Sequence, residues 1–243
     1  IAPDLGARFS TPLQKVYDVK IGNLEKLRHE IVTEVSYNYT PQRDLSRLPL
    51  YDNDDRITGQ SLISWSLTNR LGGRFRQGEN AEYRDLLRLT FSQGYTLSGG
   101  RRNLLTMVDD GRSLDDLNLE SDAWLHKNVR LTFDSRYSLH DNRITSAAPG
   151  LEVDDKRGTT VGINYRMSHQ FVEYGEMRFS TRYLNPWTIG YTSRYSFDRS
   201  GFLEAVYSAE YVQKCWSVSF LFRDRPGNKT GTVNFNLAGL TGN

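Results

Sequence analysis

Along the strand-like stretches of this 243-residue chain, charge falls on even-numbered positions and apolar or aromatic side chains on odd ones. The even set includes Glu30, Glu34, Arg70, Arg88, Arg130, Arg136, Arg166, Glu176, Arg178, Arg182, Arg194, Glu204 and Glu210. The odd set includes Ile31, Val35, Tyr37, Ile63, Trp65, Leu89, Phe91, Leu131, Phe133, Val161, Ile163, Phe179, Ile189, Tyr195 and Tyr207. A β-strand sends successive side chains to opposite faces, so a period of two describes a sheet with one apolar and one charged face. Membrane barrels alternate in this way, apolar toward lipid and polar toward a watery lumen.

Hydropathy points elsewhere. Only 37% of the residues are hydrophobic, mean hydropathy is -0.60, and no apolar run approaches the roughly 18 to 20 residues of a membrane-spanning helix. Helical membrane proteins are excluded by this; barrels are not, because half of each barrel strand is polar. The 14 Tyr, 11 Phe and 4 Trp are many for so polar a chain, and they suit a wall that meets two water–lipid boundaries. A net charge of +2 without a Lys/Arg block gives nucleic acid no electrostatic footprint. The chain opens at Ile1 with neither an initiator Met nor a leader, as a processed or excised piece would.

The alternation and the turn residues between runs predict thirteen antiparallel strands. They lie at roughly 5–17, 28–40, 59–73, 83–97, 116–125, 128–139, 143–153, 158–167, 173–183, 187–197, 201–212, 215–223 and 230–240. Most have the length of about ten residues that a tilted strand needs to cross a bilayer. Pro12 interrupts the first strand, and Pro149 with Gly150 makes 143–153 the weakest. Strand 215–223 reverses parity, with Trp216, Val218, Phe220 and Phe222 on one face. The ten residues 18–27 are expected to form a connection in which Asn23–Arg28 could close one helical turn.

Connections 41–58 and 98–115 are long, while Gln77–Asn80, Lys127–Asn128 and Leu184–Pro186 are tight. Outer-membrane barrels have short periplasmic turns and longer outer loops. That rule puts 41–58, 98–115, 140–142, 168–172, 198–200 and 224–229 outside, and 127–128, 154–157, 184–186 and 212–214 in the periplasm. The connection 18–27 is then oddly long for its side. Trp187, Tyr211 and Trp216 fall at periplasmic strand ends, and Tyr39, Tyr95, Tyr137 and Tyr195 toward outer ends, as two aromatic belts. The expected fold is all-β, an antiparallel transmembrane β-barrel. The alternative is a soluble β-sandwich binding module, although a sandwich would not keep one face of such long strands so charged.

No catalytic chemistry is legible. His29, His126, His140 and His169 are scattered, no Ser lies in a G-x-S-x-G setting and no HExxH is present. His140–Asp141 beside Asp109–Asp110 is ordinary loop charge, and Asp54–Asp55, Asp115–Asp116 and Asp154–Asp155 suit turns. No metal and no cofactor is expected. The even-position charges Glu34, Arg88, Arg136, Arg166, Arg178, Arg182, Arg194 and Glu204 are candidate lumen-facing residues. Neighbouring strands mix signs, with Glu176, Arg178 and Arg182 facing Arg166 and Arg194 and then Glu204 and Glu210, so these inward charges would tune ion passage in a porin, or meet another protein in a transporter.

Six stretches, in order from about residue 10 to residue 240, resemble the C-terminal domain of the LptD family of lipopolysaccharide-assembly proteins. They are Ser10–Asp18 (STPLQKVYD), Lys26–Pro41 (KLRHEIVTEVSYNYTP), Leu48–Ile57 (LPLYDNDDRI), Leu67–Leu71 (LTNRL), Tyr211–Val218 (YVQKCWSV) and Val233–Leu240 (VNFNLAGL). The resemblance implies a barrel of 26 strands in the outer membrane of a Gram-negative cell. Residues 1–243 would be one domain, its C-terminal half, without the N-terminal strands and periplasmic domain. It also implies an LptE-like lipoprotein plugging the lumen, periplasmic bridge proteins that deliver lipopolysaccharide, and lateral release between first and last strands.

The last strand, Thr230–Leu240, then becomes one lip of a gate, with Thr232, Asn234 and Asn236 inward and Val233, Phe235 and Leu237 outward. Family members with adjacent cysteines before the last two strands join the barrel to the periplasmic domain by disulfides. Lys214 precedes Cys215 here, so only the second position is matched, and Cys215 is expected to pair with a cysteine outside this chain. A general porin or passive diffusion channel is the alternative within membranes.

Overall fold

Where the period of two persists, the chain extends and pairs with its neighbour. The computed structural model describes residues 4–41, 59–100 and 111–237. These residues form thirteen strands and no helix, each strand antiparallel to the next and ordered as in the chain. The strands are β1 (Leu5–Ile21), β2 (Leu24–Thr40), β3 (Gln60–Gln77), β4 (Asn80–Gly99), β5 (Leu117–His126), β6 (Val129–Ser138), β7 (Arg143–Asp154), β8 (Thr159–Ser168), β9 (Val172–Thr181), β10 (Trp187–Ser196), β11 (Gly201–Val212), β12 (Trp216–Arg225) and β13 (Asn228–Leu237). The chain divides into two compact units, residues 1–120 with 136–143, and residues 121–135 with 144–243.

The first unit holds β1 to β4, strands of 17 to 20 residues. At about 3.3 Å per residue each spans more than 50 Å, beyond the roughly 30 Å hydrocarbon layer even when tilted. Strand outside the hydrocarbon needs no apolar face, which is why the expected connection 18–27 is mostly strand. β1 pairs with β2 down to Asp18↔Lys26, a bulge follows, and Ile21↔Leu24 is the last pair. Gly22, at φ 58, and Asn23 close the hairpin. No helical turn forms at Asn23–Arg28, and the long connection becomes two residues. Pro12 lies inside β1, opposite Val32.

The second unit holds β7 to β13 and parts of β5 and β6, all strands of 10 to 12 residues. Pro149 sits within β7, and its ladder with β8 passes from Ala147↔Met167 to Gly150↔Asn164, omitting Ala148 and Pro149. The reversed parity of β12 is borne out: Tyr207 pairs with Phe222, Ala209 with Phe220 and Tyr211 with Val218.

Burial is inverted relative to a water-soluble domain. Among the described residues the buried hydrophobic side chains are Phe75 and Ala205, while Ser61, Thr68, Thr96, Ser138, Glu176, Ser196 and Glu204 are buried polar ones. Phe9 is 69% exposed, Leu13 64% and Phe235 60%. A soluble sandwich would enclose such side chains between two sheets. Here a single sheet leaves them on its surface, the arrangement that lipid requires.

The β7–β8 turn is held by two carboxylates, Asp154 on the Lys156 amide and Asp155 on three others. Asp155 Oδ1 accepts the N–H groups of Arg157 at 2.7 Å, Gly158 at 2.9 Å and Thr159 at 2.9 Å, and Oδ2 accepts the Tyr183 hydroxyl at 2.6 Å. The Tyr183 bond and then these amides pull the Asp155 carboxyl from 3.8 down to about 2. A depressed carboxyl stabilises the fold fully above its unfolded value, and the contribution is lost as pH falls through the folded one. The amide chemical shifts of Arg157, Gly158 and Thr159 should therefore titrate together with a midpoint near 2 rather than 3.8. In Asp155→Ala that transition should vanish; its persistence would mean that another group holds the turn.

Candidate functional site

The charged face of the second unit carries a ladder of ion pairs running across four strands. Pairing sets Arg194 of β10 opposite Glu176 of β9 on one side and Glu204 of β11 on the other. Arg178 Nη2 donates to Glu176 Oε1 at 2.9 Å, and Arg194 Nε donates to Glu176 Oε2 at 2.6 Å. Arg194 Nη1 also lies 3.5 Å from Glu204 Oε2. From β12, Arg225 Nη2 donates to Glu204 Oε1 at 3.1 Å. Arg223 Nε is 2.8 Å from the same oxygen, but its N–H does not point along that line and makes no hydrogen bond. The Glu176 and Glu204 side chains are 8% and 11% exposed, while the arginines around them are about half exposed. Buried carboxylates need such partners, since an unpaired buried charge costs several kcal/mol.

Three of the expected lumen charges, Arg178, Arg194 and Glu204, meet in this ladder. Glu34 is in the first unit, 3.3 Å from Arg8 in an exposed pair. Arg136 stands on β6. Arg88 sits directly opposite Arg70, which turns instead to Glu30 at 3.7 Å. Arg88, Arg166 and Arg182 make no ion pair among the described residues. Glu176 belongs to the even set, and the mixed signs of neighbouring strands set it opposite Arg194. Arg223 and Arg225 were outside that set, and the reversed parity of β12 was the signal for them: with Trp216, Val218, Phe220 and Phe222 on the apolar face, odd positions of that strand face the charges.

β13 pairs with β12 over ten positions, from Asn228↔Arg225 to Leu237↔Trp216. All ten of its residues are exposed, with Val233 at 64% and Phe235 at 60%. Its side-chain ties to β12 are slight: Asn236 Nδ2 donates to Ser217 Oγ at 3.5 Å, and Lys229 lies 3.4 Å from Asp224. Of the expected gate strand, 238–240 lie outside the described residues.

Cys215 is an exposed free thiol in the turn 213–215, closed by Gln213 N–H donating to the Trp216 carbonyl at 2.9 Å. At the same strand ends a row of rings crosses β10 to β13: Trp187 to Tyr211 at 5.0 Å, Tyr211 to Trp216 at 5.6 Å and Trp216 to Phe235 at 6.0 Å. At the opposite ends Phe197 lies 5.9 Å from Tyr165 and 5.5 Å from Tyr195. Two belts of aromatic rings therefore bound these strands. Of the carboxylate pairs, Asp54–Asp55 and Asp109–Asp110 lie outside the described residues. Asp154 and Asp155 are spent on turn amides and Lys156.

Thirteen antiparallel strands with an apolar surface, a charged opposite face and aromatic rings at both ends define a transmembrane β-barrel protein. The chain belongs to the LptD family: the model described as LptD, LPS transport system D, matches residues 1–185, which is 185 of its 243 residues. Membership places it in the outer membrane and in lipopolysaccharide transport, in a transport family rather than an enzyme family. Among solved structures, a multiply substituted porin of Rh. blastica is similar at 11% identity and a TM-score of 0.41, over 97% of this chain and 98% of that one. The copper transporter OprC is similar at 12% identity and a TM-score of 0.32, over 94% of this chain and 56% of its own. At these scores neither likeness bears on the assignment, which rests on the family match. No curated protein matches.

The ladder makes a stability prediction. Glu204→Ala leaves Arg194, Arg223 and Arg225 facing one another and should destabilise the folded state by about 1–3 kcal/mol. Asp224→Ala removes only the exposed pair with Lys229 and should cost less than about 0.5 kcal/mol. Denaturant unfolding of the barrel in detergent, followed by tryptophan fluorescence, compares the two; equal effects would show that the ladder carries no special weight.

Proposed function

We propose that this chain is the C-terminal half of a 26-strand barrel that inserts lipopolysaccharide into the outer leaflet, and that β13 is one lip of its lateral gate. The observation that carries the reading is the condition of β13. Its side chains scarcely hold it to β12: one 3.5 Å hydrogen bond from Asn236 to Ser217, the exposed Lys229–Asp224 pair and the contact of Phe235 with the Trp216 ring. A strand that must part from a neighbour transiently is best held by few side-chain bonds. Val233, Phe235 and Leu237 would face acyl chains, and Thr232, Asn234 and Asn236 the aqueous side.

Arg88, Arg166 and Arg182, without carboxylate partners among the described residues, suit contact with an LptE-like plug lipoprotein, and the paired ladder of Arg178, Glu176, Arg194 and Glu204 stiffens the wall behind it. Periplasmic bridge proteins would supply the cargo. Cys215, exposed beside the aromatic belt, would form a disulfide with a cysteine of the missing periplasmic domain, in a compartment that favours such bonds.

A photoreactive residue at Phe235 or Asn236 of the full-length protein in cells should capture lipopolysaccharide, and the adduct should disappear when ATP is depleted. Absence of an adduct together with ordinary ion conductance in bilayers would make the protein a porin and refute the gate. For Cys215, the intact protein should run as a cross-linked species on a non-reducing gel and lose it in Cys215→Ser. Alkylation of Cys215 without reductant would defeat the disulfide.

A further inference from the structure

The first unit contains a hollow of about 720 Å³, within the roughly 300–1,000 Å³ range of small-ligand sites. It lies near the two-residue turns of β1–β2 and β3–β4 and is lined by Val16, Lys26, Arg28, Gly72, Arg74 and Asp85, among others. A bulge between Leu71 and Gly72 brings Gly72 opposite both Arg28 of β2 and Asp85 of β4. Glycine leaves this crossing point without a side chain. A Cβ there would stand only 3.7 Å from the Arg28 Nε and Nη2 atoms. The Arg28 guanidinium therefore leans over a bare stretch of backbone.

The cations around the hollow are short of acceptors. Arg28 makes no ion pair among the described residues. Arg74 Nε is buried without a hydrogen-bond partner, and Glu25 Oε2 is 3.7 Å from it, near enough to attract but too far to accept its proton. Glu25 is held instead by Arg76 at 2.5 Å. The Tyr83 ring, 5.9 Å from the Arg74 guanidinium, flanks that group. Lys26 is tied to Asp18 at 3.5 Å, with side chains 47% and 84% exposed, a contact that a ligand displaces at little cost. Asp85 is the one carboxylate on the lining, against four cations there, Lys26, Arg28, Arg74 and Arg84, the last lying 3.5 Å from Glu82.

We infer that this hollow binds a phosphate group, taken between Arg28 and Arg74 with Lys26 at its rim. Two planar guanidinium groups offer paired donors that match phosphate oxygens. The glycine floor lets the anion approach the backbone of β3. Such a group can come from the phosphorylated headgroup of a glycolipid or from free phosphate. The inference draws on the transport reading only in making the glycolipid the first probe.

The test uses the full-length protein, folded in detergent, with inorganic phosphate and diphosphoryl lipid A micelles as separate calorimetric probes. Arg28→Gln with Arg74→Gln removes the charge, Gly72→Leu fills the hollow without changing charge, and Arg199→Gln removes a turn cation elsewhere. Heat-modifiable gel migration verifies that each variant is folded. Lipid A affinity should fall about tenfold or more in both hollow variants and stay unchanged in Arg199→Gln. If inorganic phosphate binding falls in parallel, the site reads phosphate alone; if only lipid A binding falls, it reads a headgroup. Wild-type affinity for both probes in folded Gly72→Leu, or an equal loss in Arg199→Gln, overturns the inference. Lipopolysaccharide delivery by the wild type in cells tests the transport reading separately, so either can fail alone.

Discussion

In hydrocarbon no water is available to pair with a backbone N–H or C=O, and each group left unpaired costs several kcal/mol. That constraint governs this molecule. Each strand must pair along both edges, so the chain runs as antiparallel hairpins closed by turns as short as Gly22–Asn23, Gly78–Glu79 and Lys127–Asn128. With the backbone satisfied within the sheet, side chains need only divide between lipid and water. The result is a protein whose apolar side chains lie on its surface and whose buried set is dominated by Ser, Thr and Glu.

Stability within the charged face then comes from ion pairs rather than from a packed apolar core. Glu176 and Glu204 are the two buried charges of the second unit, and each is held by at least two arginines on its own or adjoining strands. The ladder they form ties β9 to β12 together by side chains. β13, next in order, has almost no such ties. The contrast is between a wall cross-linked by ion pairs and a lightly held β13.

The fold was largely legible because a period of two survives in any strand that has one face in lipid. The strand positions, the reversed parity of β12 and the interruption at Pro149 could all be read from residue order. Residues 18–27 could not. Asp18, Lys20, Glu25 and Lys26 break the apolar alternation, and this looks like a loop, whereas β1 and β2 simply continue as strand where no apolar face is required. Of the charged residues, Glu176, Arg178, Arg194 and Glu204 were legible as a mixed-sign ladder on one face, but not its pairwise contacts or the part that Arg223 and Arg225 take in it. Those contacts depend on the bulge that shifts Arg194/Tyr195 against Glu204/Phe202, and on the turn 213–215 that puts Arg223 and Arg225 beside Glu204.

Sequence by itself determined the class of structure, because alternating polarity over ten-residue stretches is compatible with few environments besides a membrane wall. It also determined which face most side chains occupy, since between bulges that follows from parity. Tertiary structure decided who meets whom across strands. Register is set by bulges and turn lengths, and a one-residue slip changes every partner. So the Glu176–Arg194–Glu204 ladder, the glycine-floored hollow between Arg28 and Asp85 and the row of rings from Trp187 to Phe235 exist only once thirteen strands have settled their registers.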